Sequence, residues 1–581
     1  MIITILYIIS CEFFGFFFLF YVLKQYWSFV NHLLSSWLIG SMISGIALFV
    51  GSYFMNFSLF LVEIVILFQF LGGFMFYIYG KRSLDPKKAH SHIHFEQSKV
   101  FYYFFFAMML FFMILYAKSG YRVKNGYTLS SFEQSQVNSI LFGINQRRNR
   151  ILATNNCDFY GHGSKLSSYH LHFVAACMIE DPTSHNVRFL IYLLNSLSTC
   201  VFMSYFLRRF TNHFYLVTFL VFMNNGWSSF RYFFQKTDLE DVDYINHTPK
   251  DFFIPAYHFI SHYLLSSFST SFSIPMLLLS VGVAQASCKK NRPTIFAYLI
   301  AVTIPIPYIS IITISLLLII QEFNSLSLIF LVAPFRLYGS SIQFKPIWNY
   351  YHTKGVLFSE FSLLFDILGP IFFALPFFTY WGISHDVLMR YILFLLVSIT
   401  IISGNDSFIS YSVTSSLCLP VFISGFSNMI IIYYKNIKNK SLKGIIIAFL
   451  SFMLILNIFG GFITFFESFS QIPLFKHEDI EFSDSIMHII PPSSLVYTPV
   501  LDNNPVSNLA GKQVLLSNIE GLWRIGYSPS QTFRDIEKMN LSFLINEYPI
   551  SYLVQYDEMP KVDVLLEPIL SIGKWALNRI K

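Results

Sequence analysis

The residues that could do chemistry in this chain lie in a few polar regions between long apolar runs. The first region, residues 121–173, contains two carboxylates, Glu133 and Asp158. A carboxylate held beside a reacting hydroxyl can act as a general base. Glu133 and Asp158 are therefore the candidate catalytic residues.

Three closely spaced arginines lie in the same region: Arg147, Arg148 and Arg150. A guanidinium group presents its N–H donors in a fork that suits phosphate oxygens. The arginines are therefore candidates for binding the phosphate of a lipid or of a sugar. A surface arginine cluster without a ligand explains the pattern equally well.

Two histidines, His170 and His172, follow at the end of this region. Residues i and i+2 point apart on a helix, so the pair is not a zinc motif by itself. Buried, hydrogen-bonded histidines are the favoured interpretation. His170 is kept as a candidate for a side chain that faces a sugar or an acceptor.

An acidic cluster, DLEDVD, lies in the second polar region, residues 224–270. Its carboxylates Asp238, Asp241 and Asp243 could hold a divalent cation, since hard cations prefer several oxygen ligands. No glycine stands where a calcium loop needs a sharp turn, so a solvated acidic turn is favoured. The sequence indicates no cofactor other than this possible divalent cation, and it does not identify the cation.

The composition is that of a membrane protein. Of 581 residues, 54% are hydrophobic, 19% are aromatic and 12% are charged, whereas soluble domains usually carry about 25% charged residues. The six cysteines are scattered and form no CxxC pair, which argues against a disulfide framework or a zinc site. The lipid bilayer is the expected partner, and nothing indicates binding to nucleic acid.

Apolar runs long enough to cross a bilayer recur along the chain. The clear candidates are 2–23, 36–56, 57–79, 99–117, 186–206, 357–380, 414–433 and 443–466. The less regular ones are 166–180, 213–223, 271–285, 293–320, 326–334 and 388–402. We expect an α-helical polytopic membrane protein with roughly 11–13 transmembrane helices.

Lysine and arginine cluster in four loops, which the positive-inside rule places in the cytosol: 80–90, 208–210, 288–292 and 434–443. Residues 118–165, 224–270 and everything after about 467 then lie on the far side. The sequons at Asn246 and Asn540 fall there, which favours glycosylation and the lumen of the endoplasmic reticulum. In a bacterium the same side would be the periplasm.

The chain divides into four parts by this interpretation. These are N-terminal transmembrane helices over 1–117, a large luminal loop with its re-entry segment over 118–185, a transmembrane core over 186–466, and a luminal domain over 467–581. The last part reads as a small α/β domain with helices at 479–490 and 531–540 and strands at 493–499, 513–517 and 550–556.

Four segments, in the same order along the chain, carry a resemblance to a known group of proteins. They are LSSYHLHFVAACMI (166–179), FMNNGWSSFRYF (222–233), NDSFISYSV (405–413) and NNPVSNLAGKQVLLSNIEGLWRIGY (503–527). Together they resemble polytopic membrane proteins related to the GT-C glycosyltransferases. The last segment resembles a tail motif of that group, with Lys512 where an arginine is expected.

The resemblance implies many spans, a large first far-side loop, a far-side C-terminal domain and transfer of a sugar from a polyprenyl-phosphate donor. It implies that an acidic residue of the first loop acts as a base or metal ligand. If the chain is such a transferase, we expect Trp523 and the segment 503–526 to cap the cavity, with the indole against a sugar ring. Anchoring the core of the tail domain is the favoured role for Trp523.

The first loop departs from the pattern of these relatives. Where they have a Tyr-Gly-Asp-Pro segment followed by a histidine, this chain has Leu129 at the aspartate and Glu133 at the histidine. Glu133, Asp158 or the acidic cluster at 238–243 then supplies the carboxylate, or the chain has lost transferase activity. The alternatives are a catalytically inactive relative that binds lipid or serves in assembly, and a transporter or scramblase. The latter is disfavoured because intramembrane charge is sparse and no internal repeat is present.

Overall fold

The computed structural model gives a helical bundle joined to a small C-terminal sheet. The residues that it describes are 2–22, 28–83, 99–119, 129–147, 154–163, 169–182, 185–208, 210–224, 268–286, 300, 419–421, 423–425, 427–428, 431, 434–435, 437–467, 475–501, 503–524, 533–534, 536, 541–557 and 566–581.

Helices account for most of the described residues before residue 470. They are α1 (Ile2–Phe17, continued by a π-helical turn Phe18–Val22), α2 (Phe29–Phe54), α3 (Leu59–Ser83), α4 (Lys99–Ser119), α5 (Leu129–Phe142), α6 (Tyr169–Cys177), α7 (His185–Leu207), α8 (Phe214–Phe222), α9 (Phe268–Ala286) and α10 (Lys440–Glu467).

Six of the described helices are long and apolar enough to cross a bilayer. The qualifying stretches are Ile2–Val22, Phe29–Phe54, Leu59–Lys81, Lys99–Tyr116, Asn186–Leu207 and Lys440–Phe459. These lengths and compositions are those of a multi-pass helical membrane protein. The expected spans at 293–320 (apart from residue 300), 326–334, 357–380 and 388–402 lie outside the described residues, as does most of 414–433.

Two of the less regular spans expected from the sequence are not among the six described helices long enough to cross a bilayer. In place of 166–180 and 213–223 the structure has α6 and α8, each nine residues long. Nine helical residues extend about 14 Å, less than half of a hydrocarbon core of about 30 Å.

Helix α2 begins seven residues before the span expected at 36–56, and its first turns include buried polar residues. Asn31 and His32 are 8% and 4% exposed, and a ring nitrogen of His32 lies 3.2 Å from the carbonyl oxygen of Phe16. Hydropathy misses such a turn, because it scores Asn31 and His32 as water-exposed residues although the fold buries them.

The first two helices cross with their backbones in contact. A Cβ added at Gly40 would lie 1.9 Å from the carbonyl oxygen of Cys11, and one at Gly15 would lie 2.1 Å from that of Ser36. Small residues permit this approach, which is typical of helix packing in lipid. Hydrogen bonds link other helices: the Trp37 indole donates to Asn195 at 3.0 Å, and Asn195 donates to Ser271 at 3.2 Å.

The tail, from residue 475, contains a five-stranded mixed sheet. Its elements are α11 (His477–Ile489), β1 (Leu495–Tyr497), α12 (Pro505–Asn508), β2 (Gln513–Val514), α13 (Ile519–Arg524), α14 (Leu541–Glu547), β3 (Ile550–Tyr556), β4 (Leu566–Ile572) and β5 (Trp575–Ile580). The strand order is β2-β1-β3-β5-β4. β1 is parallel to both β2 and β3, whereas β3 and β4 are antiparallel to β5.

A separate small core holds the tail together. Phe482 and Ile486 of α11 pack with Val496, Val554 and Trp575 of the sheet. The indole of Trp575 also donates to Asp479 at 2.7 Å, which fixes α11 against β5. The predicted α/β character of the tail is thereby confirmed, while the predicted helix 531–540 falls mostly outside the described residues.

Candidate functional site at the junction of the first loop and the tail

The first loop contains α5, a helix with a polar stretch over residues 133–139 that the structure buries. Every residue from Glu133 to Leu141 is at most 6% exposed, although most of them are polar. A polar helix is stable in the interior only when its side chains find partners. The partners of α5 identify the surrounding site.

Glu133 is fully buried and binds the start of α9. Its carboxylate accepts hydrogen bonds from the backbone N–H groups of Phe268 and Ser269, the latter at 3.1 Å. The first N–H groups of a helix lack partners within the helix, and a negative charge is favourable there. The candidate base is therefore engaged as the cap of an apolar helix.

His170 reaches the same helix start from α6. One of its ring nitrogens lies 2.8 Å from the hydroxyl of Ser269, the residue whose N–H binds Glu133. His172, two residues on, lies 3.4 Å from the hydroxyl of Ser52 in α2. Both histidines are buried and hydrogen-bonded, and only His170 belongs to the cluster around Glu133.

Asp158 lies on another side of α5, within a set of serine hydroxyls. Ser135 donates to one of its carboxylate oxygens, and Ser517 of the tail donates to the other at 2.7 Å. Burial raises the pKa of Asp158, and the hydroxyls of Ser135, Ser517 and Ser507 partly oppose that shift. Asp158 is thus a buried link between the first loop and the tail.

Glu133 and Asp158 do not form a catalytic pair. Asp158 is bonded to Ser135, which is two residues from Glu133 on α5, and residues at that spacing point to different sides of a helix. Each carboxylate is fully buried. Their hydrogen bonds hold different elements: Glu133 binds α9, and Asp158 binds the tail.

Arg147 lies where the first loop meets the ends of two spans. The backbone N–H of Phe57, in the turn between α2 and α3, donates to the carbonyl of Gln146 at 2.6 Å. Arg147 follows directly and its side chain is exposed. An exposed guanidinium is therefore placed beside the turn that joins α2 and α3.

The tail motif binds the opposite end of α5. Asn504 caps α12 by accepting the N–H of Val506 at 2.9 Å, and α12 and α13 both pack against α5. The Asn138 amide donates to the carbonyls of Asn508 and Leu509, at 2.7 and 3.0 Å. Gly511 has φ +64°, and a Cβ there would lie 2.3 Å from the backbone of Asn138.

Lys512, which stands at the arginine position of the related motif, completes this contact. Its ammonium donates to the carbonyl of Phe142, the last residue of α5, at 2.9 Å. Lys512 is 1% exposed, and burial lowers its pKa from 10.5 to about 8. A cation at a helix C-terminus is favourable, which offsets part of the cost of burying it.

The first loop also extends the sheet of the tail. Val514 and Ser517 donate backbone N–H groups to the carbonyls of Cys157 and Asp158, both at 2.9 Å. Phe159 and Leu516 form an antiparallel bridge. The motif segment 503–524 therefore joins the tail to the first loop through backbone, side-chain and packing contacts at once.

The remaining predicted residues are only partly placed. Trp523 lies on α13, which packs against α5. Outside the described residues lie Arg148, Arg150, Asp238, Asp241, Asp243, Asn246 and Asn540. Among the described residues, no group of three or more histidine, cysteine, aspartate or glutamate side chains is arranged to hold a metal ion.

Several partners of the site are not identified by sequence reasoning. Ser135, Ser269 and Ser517 hold the two carboxylates, and Asn138 holds the motif. The serine- and amide-rich composition of 130–139 is the sequence feature that could have indicated these contacts, because such a run is unusual for a helix.

No protein-family model matches this chain, and no curated protein matches it.

Proposed function

We propose that the protein is an integral membrane glycosyltransferase of the GT-C type, which transfers a sugar from a lipid-phosphate donor. One observation carries this proposal. Arg147 is exposed beside the turn that joins α2 and α3, where its guanidinium can bind a phosphate at the bilayer surface. The resemblance of the motif 503–527 supports the same class of protein.

The proposal includes the finer features expected from the sequence. The chain has roughly 11–13 transmembrane helices in the endoplasmic reticulum membrane, with the first loop and the tail in the lumen. Asn246 and Asn540 carry glycans. Arg148 and Arg150 bind the donor phosphate together with Arg147, and Trp523 faces the sugar. A divalent cation, if one is used, is held by Asp238, Asp241 and Asp243.

Glu133 is the better candidate for the general base. His170 lies within hydrogen-bonding distance of the hydroxyl of Ser269, whose N–H binds Glu133, so an imidazole and a carboxylate both lie near the start of α9. Asp158, in contrast, is occupied by hydroxyls of α5 and of the tail. In this proposal Asp158 positions the tail, and Glu133 accepts the proton of the acceptor hydroxyl.

A second candidate function is favoured by the enclosure of both carboxylates. Glu133 and Asp158 are each 0% exposed and hydrogen-bonded to backbone or side chains. A relative that has lost its catalytic aspartate and retains these contacts would bind the lipid without transferring the sugar. It would act as a lipid-binding or assembly subunit.

Native mass spectrometry of the gently purified protein tests donor binding. The wild-type protein should retain a polyprenyl-phosphate sugar, and Arg147→Ala should lose it. Arg208→Ala is the matched control, because Arg208 is also exposed but follows α7 in a basic loop assigned to the other side. An ordinary phospholipid complement, identical in all three proteins, would contradict the proposal.

The sugar-transfer activity of the Glu133→Gln variant then distinguishes the two candidate functions. If Glu133 is the base, this variant binds the donor as the wild type does and loses transfer. If the wild-type protein binds the donor and transfers no sugar to any hydroxyl acceptor, the inactive-relative function is the correct one.

A further inference from the structure

One face of α5 has buried polar atoms that make no hydrogen bond within the described part of the chain. They are both amide atoms of Gln134, Oε1 and Nε2, and the Oδ1 atom of Asn138. The two side chains are 5% and 3% exposed. Buried polar groups without a partner are rare in native proteins and call for a specific explanation such as a water or a ligand.

These atoms lie on the side of α5 that meets the tail motif. Gln134 and Asn138 are four residues apart, so their side chains share a helix face, about 6 Å from each other along the axis. The Nδ2 atom of Asn138 donates to the carbonyls of Asn508 and Leu509, which orients this face toward the motif. Helix α13, which carries Trp523, packs against the same helix.

The amide of Gln134 does not stabilise the fold through a hydrogen bond to any described residue. Leaving a buried donor or acceptor unpaired costs about 1–3 kcal/mol for each group. Its neighbours on α5 differ in part: Ser135 binds Asp158, and Gln136 donates from Nε2 to Asn156 and Cys157 although its Oε1 has no hydrogen bond. Gln134 differs from Gln136 in that neither of its amide atoms is hydrogen-bonded. Gln134 is therefore the residue of this run whose polarity a bound ligand would explain.

The chemistry of the amide selects the class of ligand. A carboxamide offers donors on one side and an acceptor on the other. An anion would use only the Nε2 side, and a cation only the Oε1 side. A hydroxyl group both donates and accepts, so adjacent hydroxyls of a sugar satisfy both atoms of Gln134.

We propose that Gln134 and Asn138 form a subsite for the hydroxyl groups of a neutral sugar, between α5 and the segment 503–524. Gln134 donates to one sugar hydroxyl and accepts from another, and Asn138 Oδ1 accepts from a third group. The inference rests on the proposed function, because it assigns the sugar of a lipid-linked or free substrate to this face. Ordered water on the same atoms is the competing occupant.

The test compares the variants Gln134→Leu and Gln136→Leu with the wild-type protein. Leucine removes an unpaired amide at 134, so the melting temperature should stay the same or rise. At 136 leucine removes the hydrogen bonds to Asn156 and Cys157, so the melting temperature should fall. If Gln134→Leu keeps the wild-type melting temperature, any loss of binding in that variant is not caused by unfolding.

Binding is measured with farnesyl phosphate, with its mannosyl, glucosyl and N-acetylglucosaminyl forms, and with the free methyl glycosides. The wild-type protein should prefer one sugar-bearing lipid over farnesyl phosphate, or bind one glycoside. Gln134→Leu should reduce that preference or that binding by about tenfold, the value of one or two neutral hydrogen bonds. A loss confined to the sugar-bearing lipids assigns the sugar to the donor, and a loss confined to the methyl glycosides assigns it to the acceptor.

Failure of this inference is distinguishable from failure of the proposed function. If no protein binds any farnesyl phosphate in a manner that depends on Arg147, the proposed function fails. If the wild-type protein shows a sugar preference and Gln134→Leu retains it, the amide holds only water and the subsite is refuted. The subsite is also refuted if the wild-type protein binds farnesyl phosphate and all of its glycosylated forms with equal affinity and binds no methyl glycoside.

Discussion

The hydroxyl of Ser517 donates a hydrogen bond to the carboxylate of Asp158 at 2.7 Å, joining two residues that are 359 positions apart in the sequence. The same carboxylate accepts from Ser135 on α5. A single buried carboxylate thus connects the polar helix of the first loop with the motif of the tail. The motif is polar because it is one half of this contact.

Replacing Asp158 tests its role as a link. Asp158→Ala should destabilise the protein by about 1–3 kcal/mol, because two buried hydroxyls lose their acceptor. Asp158→Asn should cost less, since an amide retains an acceptor and serine hydroxyls can also accept. Thermal unfolding in detergent and proteolytic release of the tail measure the effect. Equal stability of wild type and Asp158→Ala would contradict the link.

Gly511 should be intolerant of a side chain for two separable reasons. Gly511→Ala places an L residue at φ +64° and pushes its Cβ against the Asn138 backbone, so the loss should be at least about 2 kcal/mol. Gly161→Ala is the matched control, because Gly161 has φ +79° with nothing within 4 Å of an added Cβ. It should lose only the conformational part, about 1–2 kcal/mol. If both variants unfold at the same temperature, the close approach at Gly511 is not tight.

The buried lysine gives the contact a pH dependence. Because the pKa of Lys512 is about 8 in the folded protein and 10.5 when unperturbed, the unfolded chain binds more protons between these values. The free energy of unfolding should therefore rise as the pH increases from about 8 to 10.5. Unfolding by denaturant across this range measures it. Lys512→Met should flatten the slope, and an unchanged slope in that variant would assign the effect to another group.

Glu133 should stabilise α9 whether or not it is catalytic. Glu133→Gln keeps the shape of the side chain and removes the charge that faces the N–H groups of Phe268 and Ser269. A loss of about 1–2 kcal/mol is expected from the weaker hydrogen bonds and the lost interaction with the helix dipole. Hydrogen exchange at the start of α9 reports it directly, and unchanged protection there would contradict the capping role.

Some of this architecture can be predicted from the sequence and some cannot. The strand Ile550–Tyr556 is predicted with its observed bounds, and the helix His477–Ile489 within two residues, since each has a clear apolar pattern. The segment 129–142 lacks such a pattern and is helical because Asp158, Asn508 and Leu509, distant in sequence, satisfy its side chains. The hairpin β4–β5 is missed because β4 is mostly exposed and contains Pro568.

The candidate site is predictable in its residue types and not in its geometry. Glu133, Asp158 and Arg147 stand out because charge is rare in this chain. The two carboxylates bind different elements because Glu133 and Ser135 point to different sides of α5. The sequence does not predict a helix at these positions, so it does not predict this separation. Gln134 cannot be singled out by sequence, because its significance is the lack of a hydrogen-bonding partner in the described fold.

The central claim is that a lipid phosphate binds at the end of the bundle beside Arg147. Hydrogen-exchange mass spectrometry of the protein in nanodiscs, with and without a polyprenyl-phosphate sugar, tests it most directly. If the phosphate binds beside Arg147, the lipid should slow exchange in peptides that cover 143–147 and the turn 55–58. The Arg147→Ala variant should show no such change. Unchanged exchange at these peptides in the wild-type protein, at a lipid concentration that saturates binding, would contradict it.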